Sequence, residues 1–132
     1  MKIATNIAGG LLGFVFAALA LMFLLKLAPM PPPPAEGTPP AHFMAAFMPT
    51  GYMTFVKVFE VIGGILVAIP LTRNWGLLVL GPIIINILAF NFFVGSPQDL
   101  LNPMIIVICL LALFLLWAGR KSFIGLLNCP AK

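Results

Sequence analysis

The 132-residue chain is 62% hydrophobic and only 8% charged, with a mean hydropathy of +1.17. A water-soluble domain of this length needs a charged shell that these residues do not supply, so a soluble globular fold is excluded and lipid is the solvent that fits. The net charge of +4 gives no sign of a nucleic-acid partner, because the cations flank apolar runs and report orientation in a bilayer.

Four apolar runs, 3–28, 52–71, 75–94 and 97–118, reach or approach the roughly 20 residues that a helix needs to cross the hydrocarbon core. The first follows Met1-Lys2 and contains Ala18-Leu19-Ala20, which has the small-x-small form of a signal cleavage site. Its apolar stretch is too long for a signal core and continues through residues 21–25, so it is expected to be retained as a span. Gly9, Gly13 and Ala17 recur along it at intervals of four, a stripe of small residues that lets another membrane helix approach. Lys26, just inside the far end of this run, can snorkel to the headgroups.

The connection 29–51 opens with Pro29-Met30-Pro31-Pro32-Pro33-Pro34, a stiff polyproline segment that ends the first helix. Thr38-Pro39 then reads as an N-cap and first-turn proline. Phe43, Met44, Phe47 and Met48 recur at helical spacing before Pro49-Thr50-Gly51 stops the pattern. A short helix is expected here, lying on the membrane surface or dipping over the bundle as a lid; a plain amphipathic loop helix with no functional part fits the same residues. His42, the sole histidine, falls in this connection, which excludes a bis-histidine haem within the membrane.

The second run carries the two ionisable groups placed inside a span, Lys57 and Glu60. Three residues apart, they share a helix face and partly neutralise each other. Gly64 and Ala68 continue the Glu60 stripe, with Gly63 beside it, so Glu60 is expected to point toward a neighbouring helix. At 1.5 Å per residue from Tyr52, Lys57 lies about 7 Å deep and Glu60 about 12 Å. The third run descends the other way, and counting back from Val94 puts Asn91 about 5 Å and Asn86 about 12 Å deep, level with that pair. About 140° of helix rotation separates the two asparagines, so at most one points squarely at Glu60, and Asn86 matches it in depth. Gly81-Pro82 is expected to bend this helix or open it locally. The four polar side chains form one layer, suited either to a small-molecule or proton site or to interhelical hydrogen bonding alone.

Before the fourth run, Ser96, Pro97 and Asp99 read as N-cap, first-turn proline and capping acid, placing the helix start near Pro97. Pro103 then falls inside, so either a kink or two separate helical pieces follows. Cys109 is read as apolar filler and Cys129, in the tail 119–132, as a spectator. They are too far apart to bond, and no Cys-x-x-Cys pair exists for a thiol relay. No metal-ligand cluster and no nucleophile–base pair is visible, so neither a metal nor a catalytic residue is expected.

Lys2, Arg73, Arg120, Lys121 and Lys132 fall on one side of these runs, whereas the connections 29–51 and 95–102 hold no Lys or Arg and carry Glu36 and Asp99. Cations collect on the cytoplasmic face, so both ends are expected in the cytoplasm. The expected fold is a single all-α domain, 1–132, an integral membrane four-helix bundle.

The stretch Val58-Phe59-Glu60-Val61-Ile62-Gly63-Gly64-Ile65-Leu66, followed by Arg73 in a tight turn, resembles the DoxX-like membrane proteins. The resemblance spans most of the chain, with four helices and a long loop after the first, and the proline-rich loop departs from it. It implies a bacterial inner-membrane protein, some relatives of which are membrane subunits in quinone-linked oxidation of sulfur compounds. The resulting expectation is a membrane subunit or small-ligand binder in a redox or stress-related system, with quinone as the candidate cofactor. Its expected partners are the bilayer, proteins of a membrane redox complex or further copies of itself. An enzymatic role would be that of a non-catalytic subunit of a quinone-linked oxidoreductase. A small-solute transporter and a purely structural partner of a membrane complex are the alternatives.

Overall fold

The computed structural model describes residues 2–27 and 33–127, and among these the chain is helical apart from turns and short connections, without a strand. Six α-helices follow in order: α1 (Lys2–Leu24), α2 (Pro39–Phe47), α3 (Tyr52–Ala68), α4 (Arg73–Ala89), α5 (Pro103–Ala118) and α6 (Arg120–Leu127). Three tighter or wider turns join them, 3-10 at Pro70–Thr72, π at Phe90–Val94 and 3-10 at Pro97–Leu101. Two segments, Lys2–Leu24 and Pro70–Val94, are long and apolar enough to cross a membrane; up to four are, if α2 with α3 and α5 with α6, bent by 86° and 66°, each count as one span. Residues 29–32 of the polyproline run and Cys129 lie outside the described residues.

Large apolar side chains on all four longer helices meet in one core, with Leu12, Val67, Leu80 and Leu115 nearly or fully inaccessible. Outside it the surface stays apolar: Phe14, Ile85 and Leu113 each leave more than half their area uncovered. Water would not tolerate such a belt, but hydrocarbon does.

Helix α3 is the hub, because its paired glycines open two different faces. A Cβ on Gly64 would stand 2.7 Å from the Gly13 carbonyl oxygen and 2.9 Å from the Ala17 nitrogen, so α1 and α3 touch backbone to backbone. On the other face a Cβ on Gly63 would stand 2.7 Å from Leu80 of α4. Gly76 of α4 returns the contact, its position lying against the Val67 nitrogen and the Gly63 carbonyl. Side chains at any of these sites would force the helices apart.

The helices depart from the sequence expectation at the end of α1 and settle details it left open in α4 and before α5. Helix α1 stops at Leu24, four residues before the expected 28. Lys26 N–H donates to Phe23 O (3.3 Å) and Leu27 N–H to Met22 O (3.0 Å), while Lys26 takes φ 55°. That is a Schellman stop with lysine where glycine usually stands, so Lys26 lies beyond the helix and not inside it. Helix α4 stays continuous through Pro82, and its irregularity comes later, as the π turn Phe90–Val94. Of the two alternatives for 97–118, a kink or two separate pieces, the chain takes the two pieces. Ser96 and Asp99 form a capping box on a 3-10 segment, and Asn102 Oδ1 accepts from Met104 N–H (2.9 Å) to start α5 with Pro103 at its first position.

Arg73, read from the sequence as a flanking cation in a turn, is buried instead, with 8% of its surface exposed. Its Nε donates to Val67 O (3.0 Å), one of the last carbonyls of α3, and Nη1 donates to Asn6 Oδ1 (3.2 Å) on α1. The guanidinium thus caps the C-terminus of α3, where the helix dipole favours a cation. Gly9 provides the space, since a Cβ there would collide with the guanidinium.

Candidate functional site

Glu60 is the one buried acid, 5% exposed, placed by the α3 register one helical turn before Gly64. Lys57 Nζ lies 2.9 Å from Glu60 Oε2, a close ion pair within one helix. A carboxylate has about four lone-pair sites and this ammonium is the one partner it has among the described residues, so the group keeps acceptor capacity beyond the pair. Lys57 also stands over the Phe23 ring of α1, 5.4 Å from its centroid, close enough for cation–π attraction.

These two side chains open into a cavity of about 380 Å³, between α3 and α4 and against α2. Asn86 and Asn91 line the same cavity, so all four polar residues singled out in the sequence meet around one space. They meet without bonding across it. Asn91 Nδ2 donates to Ile87 O (2.8 Å) within its own helical segment, and neither asparagine hydrogen-bonds to Glu60. Lys57 and Glu60 belong to one helix, so apart from the Lys57–Phe23 contact this set ties no two helices together. A layer serving only as interhelical glue would do the reverse.

Aromatic, sulfur and aliphatic side chains form the remaining wall, and these the sequence reading did not assign to the site. Phe43 and Met44 of α2 line the cavity with Tyr52 and Phe90, and Val56, Ile83 and Ile87 add aliphatic surface. Phe43 packs edge-on to Phe90 (4.7 Å) and Phe47 against Tyr52 (4.7 Å), which fixes α2 to the π turn and to the start of α3. Helical spacing of Phe43 and Phe47 was the available signal. Pro82 also lines the space; having no N–H, it leaves the Leu78 carbonyl without its usual helical donor. Thr38, at the start of α2, turns its hydroxyl back to Ala35 O and does not cap the helix.

The site has acceptors, donors and apolar walls, but no set of metal ligands. No group of three His, Cys, Asp or Glu side chains comes together among the described residues. His42 is exposed on α2, and Cys109 is a free thiol packed beside the core.

No family model matches the chain, and no solved structure does. The uncharacterized protein YwoB of Bacillus subtilis (strain 168) is 32% identical over 75 residues, which cover 57% of this chain and 47% of that protein. The chain thus matches about half the length of that curated relative.

Proposed function

We propose that the protein is a multi-pass bilayer protein of four spans with both ends cytoplasmic, and that the Glu60 cavity binds a small cyclic ligand with a hydrogen-bonding head, a quinone being the leading candidate. The observation that carries this reading is the ion pair of Lys57 with the buried Glu60, lining a cavity whose other walls are aliphatic, aromatic and amide. A drug-sized or head-group-sized ligand needs about 300–1,000 Å³, mostly apolar walls and a few convergent polar groups, and this cavity meets each requirement. A ring hydroxyl can donate to the Glu60 carboxylate, Lys57 and the Asn86 amide can donate to a ring carbonyl, and Phe43 and Phe90 offer faces for the ring. When bound, a quinone would supply two-electron, two-proton chemistry; the chain's own part would be to hold the ring, exclude water and hold or release a proton at Glu60.

The bilayer placement is supported by the apolar belt and by Trp75 and Trp117, both exposed, at the same ends of α4 and α5 as Arg73 and Arg120. The DoxX-like stretch 58–66 supports a bacterial inner-membrane subunit of a redox or stress-related system. To test the site, the protein would be purified from native membranes beside an unrelated membrane protein, and extracted quinones quantified by mass spectrometry. Wild type should carry quinone in excess of the control, and Glu60→Gln and Phe43→Ala should carry several-fold less. Equal quinone in all samples would remove the ligand reading.

A further inference from the structure

A second cavity, of about 620 Å³, opens at the other end of the helices, among the start of α1, the start of α4 and the turn between α5 and α6. Lys2, Arg73 and Arg120 line it together with Asn6, Asn74 and Trp117. Three cations thus converge with no Asp or Glu side chain in the lining. The chain has three carboxylate side chains: Glu60 is held by Lys57, and Glu36 and Asp99 belong to connections at the opposite ends of the helices.

Arg73 makes this imbalance costly. Two of its nitrogens donate to Val67 O and Asn6 Oδ1, but Nη2 is enclosed without a partner. A buried guanidinium normally has its five N–H groups answered and its charge matched. Arg120, on the rim, is held in place by its bond to Trp117 O (2.8 Å) and by stacking over that ring at 4.5 Å. The first turn of α4 has no side-chain cap, so the positive end of its dipole faces the same region.

We propose that this cavity is a phosphate site, which takes the headgroup phosphate of an anionic phospholipid or a free phosphate of similar shape. Arg73 would meet the oxygens from the cavity wall, and Lys2 and Arg120 would close over them from the rim. The site is independent of the ligand at Glu60.

The test uses the full-length protein in neutral detergent, with phosphatidylglycerol, phosphatidylcholine, glycerol phosphate and inorganic phosphate added in turn. Bound species are read by native mass spectrometry and stability by thermal melting. Phosphatidylglycerol should bind and raise the melting temperature while phosphatidylcholine does not; an equal response to inorganic phosphate or glycerol phosphate would assign the site to free phosphate. Arg120→Gln and Lys2→Gln, both at exposed positions, should each weaken binding by about tenfold, the usual effect of losing one hydrogen bond to a charged group. Lys121→Gln removes the same charge one residue away, outside the cavity, and should change nothing. Equal losses in Lys121→Gln and Arg120→Gln would mean diffuse attraction to a basic surface and would overturn the proposal, as would the absence of any response to the three net-anionic compounds.

Discussion

Gly13 and Gly64 stand so close that each occupies the space a side chain on the other helix would need, the Gly64 position lying 2.7 Å from the Gly13 carbonyl. Leucine at either position would force α1 and α3 apart or break the contact. Gly13→Leu and Gly64→Leu should each lower stability by at least the roughly 1–3 kcal/mol typical of overpacking, seen as a lower melting temperature in detergent. Gly10→Ala is the matched control. Nothing lies within 4 Å of that position, so the added methyl should stabilise α1 by about 0.5–1 kcal/mol.

Lys26 holds φ 55° to end α1, a conformation that costs a residue with a side chain about 1 kcal/mol or more. Lys26→Gly should relieve that strain and raise the melting temperature with α1 unchanged. A fall instead would mean that the lysine side chain contributes more at the membrane surface than its backbone costs.

Glu60→Gln keeps the size and hydrogen-bonding reach of the side chain while removing its charge. In a ligand site it should fold and insert as wild type yet bind quinone several-fold more weakly, with Asn86→Leu weakening binding in parallel. If the pair were only structural, Glu60→Gln would leave binding unchanged, and Glu60→Gln with Lys57→Met would be more stable than wild type because two costly charges are gone. Melting curves and quinone titrations on the same preparations separate these outcomes.

Reporter fusions placed after Lys132 and between Arg73 and Asn74 should report cytoplasm, and those near Gly37 and Gln98 the opposite side. A fusion after Lys132 that reports the outside would rule out the proposed arrangement of four spans.

Helical class and apolar spans were legible because run length and hydropathy are local properties. That Lys57, Glu60, Asn86 and Asn91 would come to line one space was legible too, since helical rise converts sequence distance into position along each helix. The burial of Arg73 was not. A cation beside a span reads as headgroup-facing, and only the missing side chain of Gly9, on another helix, creates its niche. The end of α1 was hidden for a related reason: its stop lacks the glycine that would have marked it, and the apolar run continues past it. The α2 wall of the cavity required knowing that α2 meets α3 at 86° and packs against the π turn, and no local pattern encodes that angle.

The adjacent glycines of α3 act as a key cut on two edges. With α1 seated in one notch and α4 in the other, α3 can neither roll nor slide without collision, and Glu60 is fixed in depth and azimuth. What can vary is the wall that α2 supplies. Helix α2 is short, lacks buried residues and joins the cavity through ring contacts, so parting Phe43 from Phe90 would widen the opening while the wall set by α3 stays in place.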